Sequence, residues 1–392
     1  MNRLLFVAPA PPSDRRGGGA LRMLHMVRFL AERFEVDLVA PAIDGVLEAE
    51  RLLKGVCADL EFAPPAPMSW FRRAGRLGPY EKDPALQEAV HRRLASKRYG
   101  AVQLEKPAMI PYVPSNIRVP VVLDVWAYGL AGPLRALRHA TGLSRKARTF
   151  IQLCRYGLFD TLCWPATSCV LVVSEEDRAR CERSRPGRRV LVVPNGVDCA
   201  AVRPNWNDRP VPPVLLFTGD LGFEPNVDAA YYVATKLFPG IRRRRPDAQL
   251  RLVGRNPDAR VRKLAGERVA VIGDVPDMVP HLHAAAVYVA PHFTGAGTRT
   301  KLLEAMAAGT PIVTTTIGLE GIEAVPGRDI VVADDADAMI AAVCRLLDDP
   351  SERRRLGTAA RRLVETQYDW PRCLAPLDPL YRQLLGPKVA TC

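Results

Sequence analysis

The sequence has no Cys-x2-Cys pair: its nine cysteines are scattered at 57, 154, 163, 169, 181, 199, 344, 373 and 392. An odd, unpaired set in a chain too large to need staples reads as reduced thiols, mostly in the core. A long apolar opening is also missing. Met1-Asn-Arg leads into only the short run 4–8 before prolines and charges, too little for a signal peptide or membrane span, so the expected compartment is the cytoplasm. Short-period repeats and low-complexity tracts do not occur. Nor does a Gly-x-Gly-x-x-Gly turn with an acidic residue closing the second strand, which argues against a nicotinamide cofactor. Carboxylates are outnumbered: 55 Lys and Arg face 42 Asp and Glu, and residues 1–200 hold most of the excess, with 30 bases to 20 acids. Such a surplus keeps a protein soluble, and it can also draw an anionic membrane or a phosphorylated acceptor. The basic runs 242–245 and 353–355 read as solvated helix faces, and no nucleic-acid partner is expected.

What is present is the composition of an ordinary globular protein, 48% apolar and 25% charged, in a chain long enough for two cores. A short apolar strand at 4–8, a loop and a helix with Leu21, Leu24, Val27 and Leu30 on one face open the chain. Further apolar runs at 36–40, 121–123, 169–173 and 190–193 alternate with helical segments. Prolines crowd 203–213, and a second series follows with runs at 214–217, 250–253, 269–272, 287–290 and 312–314. Alternation of this kind predicts an α/β chain of two doubly wound, Rossmann-like halves with parallel sheets. The expected divisions are an acceptor-binding domain at 1–202, a nucleotide-sugar domain at 203–370 and, at 371–392, a helix crossing back to the first domain. In open parallel sheets ligands sit beyond the carboxyl ends of the strands, so function belongs in the strand-to-helix loops.

The most informative stretch is 287–313, which reads as strand, glycine loop, helix and strand. Gly295 and Gly297 allow close backbone approach, and a helix beginning near Thr298 aims N–H groups and a positive dipole end at the loop, a place for phosphate oxygens. Arg299 and Lys301 add charge there, while Glu304 can accept hydrogen bonds from a ribose diol. The same residues also fit a plain turn followed by a solvated charge cluster. Gly18 and Gly19 close the first strand-to-helix loop, either to approach a phosphate or to make a flexible turn. Asp124 ends an apolar strand, as a base or acceptor-orienting group or as a cap. His292 ends another strand, beside the sugar or as a structural residue.

The run Leu303-Glu304-Ala-Met-Ala-Ala-Gly-Thr-Pro-Ile-Val313 resembles the donor-site signature of family-4 retaining glycosyltransferases of the GT-B fold. The likeness extends to Val193-Pro-Asn-Gly-Val-Asp198, Val172-Val-Ser-Glu-Glu-Asp177, Tyr368-Asp-Trp370 and the stretch from Phe217-Thr-Gly-Asp-Leu to Asp228. It implies transfer with retention from a nucleotide-diphosphate sugar to an acceptor hydroxyl, by front-face attack and without a metal or other cofactor; no Asp-x-Asp motif stands in the loops assigned to the site. It further implies that Glu304 binds ribose, that Gly219 shapes the donor loop and that Gly18 and Gly19 face the β-phosphate. Two departures matter. The family's first signature glutamate would fall at 296, an alanine, and Asp220 replaces the usual arginine of Gly-Arg-Leu, leaving Arg299 and Lys301 to meet the diphosphate. The expected acceptor is a bacterial surface polysaccharide, glycolipid or other lipid-linked saccharide, with a small natural product as the alternative. Arg72-Arg73 after Trp70-Phe71 and the mixed basic and apolar stretch 134–159 are candidates for peripheral contact with an anionic membrane. A nucleotide-sugar epimerase or a non-catalytic nucleotide-sugar-binding protein would share the architecture.

Overall fold

The computed structural model describes residues 3–15, 17–64, 83–129, 131–139, 142–162, 167–206, 212–294 and 297–385. The chain divides into two compact units, Met1–Pro194 with Leu374–Cys392, and Asn195–Cys373. Within the first, strands β1 (Arg3–Val7), β2 (Glu35–Pro41), β3 (Asp59–Ala63), β4 (Ala101–Glu105), β5 (Val121–Val125), β6 (Cys169–Val172) and β7 (Val190–Val192) form one sheet. Its order is β3-β2-β1-β4-β5-β6-β7 and every pairing is parallel. The central strands are buried throughout β4, β5 and β6, as continuous apolar runs require when helices cover both faces.

In the second unit β8 (Val214–Thr218), β9 (Gln249–Val253), β10 (Val269–Ile272), β11 (Ala285–Ala290), β12 (Ile312–Thr314) and β13 (Val331–Val332) form a sheet of order β10-β9-β8-β11-β12-β13, again all parallel. The chain order reverses beside β1 in one sheet and beside β8 in the other, the switch points where ligands of such sheets bind. Side-chain caps fix where several helices begin: Ser174 Oγ accepts from Asp177 N at 3.2 Å, Asp335 Oδ1 from Ala338 N at 2.8 Å and Asp349 Oδ1 from Glu352 N at 3.0 Å.

Part of the proline-rich stretch expected as a linker packs into the second unit. The Trp206 ring covers Gly309 so closely that a Cβ there would lie 2.7 Å from Trp206 Cη2, and Arg354 donates to the Trp206 carbonyl at 3.3 Å; residues 207–211 lie outside the described set. The helix Leu377–Leu385 belongs to the first unit, burying Leu377, Leu380, Tyr381 and Leu385 and stacking Tyr381 against Phe34 with ring centroids 6.0 Å apart. Among the described residues no helix is long and apolar enough to cross a membrane.

Candidate functional site

At the carboxyl edge of the second sheet, β8 and β9 end in glycines that touch. A Cβ on Gly254 would sit 1.6 Å from the Gly219 carbonyl oxygen, so only glycine lets the two backbones meet. Gly219 also leaves room for a cation, since a Cβ there would lie 2.8 Å from Lys301 Nζ and 2.9 Å from Asn226 Nδ2. Lys301 reaches this point from the helix Thr300–Ala307, which has no side-chain cap at its start. It donates to Asn226 Oδ1 at 2.6 Å and stands 4.9 Å from the centre of the Phe217 ring. Asn226 is itself fixed, donating to the Asp220 carbonyl at 2.9 Å.

Glu304 lies one turn after Lys301, and its carboxyl makes no side-chain hydrogen bond among the described residues. Burial pushes this acid up to about 7, with Lys301 opposing. Burial, reinforced by Arg299, brings the Lys301 ammonium down to about 7, against the pull of Glu304 and Asp220. Desolvation thus makes two groups of opposite charge both titrate near 7, an arrangement that a charged, hydrogen-bonding ligand would relieve.

Arg299 does not project as the charge spacing suggests. Its guanidinium turns back and donates to Gly297 O at 2.5 Å and Thr294 O at 3.1 Å, bracing the glycine loop. Gly297 has φ of 82°, and Thr298 Oγ1 donates to Gly321 O at 3.3 Å. Gly295 and Ala296 lie outside the described residues. His292 is only 2% exposed, edge-on to Phe217 with ring centroids 5.8 Å apart, and neither ring nitrogen has a hydrogen-bond partner among the described residues. Burial and the neighbouring Lys301 and Arg299 hold it well below the usual histidine range, so the imidazole is neutral. The sequence reading missed three residues at this edge: Asn226, Gly254 and Arg255. Arg255 Nη2 pairs with Asp220 Oδ2 at 3.1 Å, bringing a cation from the end of β9 to the position where Asp220 replaces one. Asn226 sat inside the quoted signature; Gly254-Arg255 after an apolar run was the legible signal for the others.

The first unit gathers a different set. Asp124 on β5 is fully buried, accepting from Arg22 Nε at 2.7 Å, Arg22 Nη2 at 2.8 Å and Trp126 Nε1 at 2.9 Å. Glu105 at the end of β4 accepts from Gln103 at 2.9 Å and Trp126 at 3.2 Å. Burial first, and then the Asp124 charge, hold Glu105 well above the carboxylate range. Asp124 is therefore committed to the Arg22 fork rather than open as a base. Gly18 and Gly19 begin the helix Gly18–Ala31, where a Cβ on Gly19 would lie 2.0 Å from Trp126 Cζ3. Lys106, at φ of 76°, places Nζ 3.9 Å from the Trp126 ring centre. The sequence reading passed over Arg22, Glu105, Lys106 and Trp126; an arginine among the apolar residues of the first helix was the available hint.

Comparison with known proteins places this geometry. The family described as "Glycosyltransferase Family 4" matches residues 16–201, and "Glycosyl transferases group 1" matches 212–349. A phosphatidyl-myo-inositol mannosyltransferase of Mycolicibacterium smegmatis is 33% identical over 218 residues, covering 51% of this chain and 53% of the relative. The chain spans about half the length of the first curated relatives it matches. Among solved structures, a sucrose-phosphate synthase of Thermosynechococcus elongatus superposes with a TM-score of 0.75 at 18% identity over 98% of this chain and 100% of that one. An Anabaena protein solved with UDP and glucose gives a TM-score of 0.69 at 14% identity over 98% of this chain and 100% of that one. At such identities the likeness is one of fold, the GT-B arrangement of two parallel-sheet units.

Proposed function

Since the chain belongs to the family-4, group 1 glycosyltransferases, we propose that it moves a sugar from a nucleotide-diphosphate sugar to an acceptor hydroxyl, with retention at the anomeric carbon and without a resident metal or other cofactor. The observation that carries this is the Lys301–Glu304 pair on one uncapped helix start beside the touching glycines 219 and 254. The diphosphate lies against the helix start and Lys301, with Arg255 at its flank; Glu304 takes the ribose diol. Thr298 and Gly297 bring backbone close to the donor, and Arg299 keeps that loop in shape. The Anabaena protein holds UDP and glucose on the same fold, which supports a nucleotide donor. His292, neutral and without a hydrogen-bond partner among the described residues, stands beside Lys301 and Arg299 with both ring nitrogens available to the donor side. In the first unit Asp124 orients the acceptor side indirectly by holding Trp126, against which Gly19 packs.

The acceptor we infer is a glycolipid or lipid-linked saccharide of a bacterial surface, as the phosphatidylinositol-directed relative suggests. One feature of the first unit supports contact with an anionic membrane at the cytoplasmic face. The helices Ala131–His139 and Leu143–Leu162 pack on each other and leave Leu134, Leu143, Phe150 and Ile151 exposed, while residues 125–159 carry no Asp or Glu. Residues 70–73, the other membrane candidate, lie outside the described set.

A thermal-shift screen of the full chain against UDP, GDP, ADP, TDP and CDP tests the donor site, because a ligand at tenfold its dissociation constant adds about 1.4 kcal/mol. At least one diphosphate is expected to stabilise the wild type and to lose that effect in Lys301→Met. Stabilisation by none, or equal stabilisation of the variant, refutes the assignment.

A further inference from the structure

The basic run at 353–355 resolves into three separate contacts. Arg353 turns inward and donates to Leu346 O at 2.6 Å and Leu347 O at 3.0 Å, tying its helix, Pro350–Leu363, to the preceding one. Arg354 and Arg355 instead line a groove of about 760 Å³, together with Arg328, Thr358, Arg362 and Gln367. Two of the four guanidinium groups there are matched. Arg328 donates to both oxygens of Asp329 at 2.9 and 2.8 Å, and Arg355 to Glu352 Oε2 at 2.7 Å and Gly327 O at 2.7 Å. The other two are not. Among the described residues Arg354 meets only the carbonyl and ring of Trp206, and Arg362 makes no ion pair or side-chain hydrogen bond.

Arg354, Thr358 and Arg362 follow one another at four-residue spacing on a single helix stripe. The two uncompensated cations therefore sit about 12 Å apart along the axis, with a hydroxyl between them. Guanidinium forks match phosphate oxygens, while Thr358 and Gln367 offer the neutral hydrogen bonds that sugar hydroxyls use. The volume suits a ligand of one or two sugar rings.

A neighbouring face of the same helix holds the helix that carries Lys301 and Glu304. A Cβ on Gly357 would lie 2.2 Å from Gly309 O, and Arg361 donates to Ala307 O, the last residue of that helix, at 2.7 Å. A ligand that fixes residues 350–363 thereby fixes the carboxyl end of helix 300–307.

We propose that the Arg354–Arg362 groove is a second binding site, for a phosphorylated saccharide, and that its occupancy changes nucleotide affinity at helix 300–307. The coupling half rests on the donor-site reading above; the binding half does not. The test is calorimetry of the full chain with fructose 1,6-bisphosphate, in the presence of saturating UDP or whichever diphosphate the thermal screen selects. Binding that persists under the diphosphate is expected. In Arg354→Ala/Arg362→Ala it should weaken about tenfold or more with the melting temperature unchanged, as both side chains are exposed. The bisphosphate should also shift diphosphate affinity about twofold or more in wild type and not in the double variant. Bisphosphate binding that the diphosphate abolishes, or that the double variant retains, overturns the site. Binding with unchanged diphosphate affinity overturns the coupling, whereas a wild type that binds no diphosphate at all refutes the donor reading and leaves the groove result standing. A lipid headgroup offers the same phosphate chemistry. Vesicles of phosphatidylcholine with and without phosphatidylinositol 4-phosphate separate the sources: cosedimentation that needs the phosphoinositide and is lost in the double variant assigns the headgroup in place of the free sugar.

Discussion

The two units bury charge in opposite ways. In the first, Asp124 is enclosed with its counter-ion: the Arg22 fork and the Trp126 N–H occupy both oxygens. In the second, Lys301 and Glu304 are desolvated and among the described residues share one side-chain hydrogen bond, the ammonium to Asn226, and neither nitrogen of His292 has a partner there. A saturated cluster contributes rigidity; an unsaturated one is stabilised further only when something binds. The difference separates a structural ion pair from a candidate ligand site more sharply than burial or charge does alone.

The contrast is open to direct attack, and the largest effect belongs to the first unit. Arg22→Met leaves Asp124 buried without its counter-ion, and should destabilise the protein by about 3–5 kcal/mol; chemical denaturation reads it, and a loss under about 1 kcal/mol would mean the pair is solvated after all. Gly19→Ala comes next, forcing its methyl into Trp126 at a cost of about 1–3 kcal/mol, visible as a lower melting temperature. In the second unit Lys301→Met should leave stability unchanged or raised, because it removes a desolvated charge, while nucleoside diphosphate affinity falls about tenfold, or 1.4 kcal/mol. If that variant instead unfolds as readily as Arg22→Met, the two clusters do not differ as described.

The smallest predicted effect is in pH. In the proposed donor site Lys301 must be protonated to hold a diphosphate, and it titrates down near 7 in the free protein, so affinity should fall as pH rises above that value. In the same reading Glu304 must be ionised to accept from ribose and titrates up near 7, so affinity should also fall on the acid side. Calorimetry across pH 6 to 8 should show an optimum near neutrality, changing by less than about tenfold. Lys301→Met should remove the alkaline limb and Glu304→Gln the acid one. A profile that neither variant alters would detach both residues from the ligand.

Much of this was legible in the sequence, for identifiable reasons. Buried parallel strands are continuous apolar runs, so 4–8, 121–123, 169–173 and 214–217 announced both sheets. The helix start carrying Lys301 and Glu304 was legible because its parts are local. Partners distant in sequence were not. Nothing near Asp124 shows that Arg22, 102 residues away, will seize it, nor that Arg255 will answer Asp220 across 35 residues. Arg299 was legible as a charge beside the loop, but not its donation to that loop's own carbonyls at Gly297 and Thr294. Prolines at 203–213 suggested a linker because propensity does not report that Trp206 has two glycines to lie on.

The meeting of Gly219 with Gly254 carries a consequence for variation. At that edge backbone rests on backbone, so neither glycine can take a side chain without parting the strand ends. In the donor site proposed above, a change of nucleotide preference would have to be written around this contact, at 220, 226, 255 or 301, while the two glycines stay fixed.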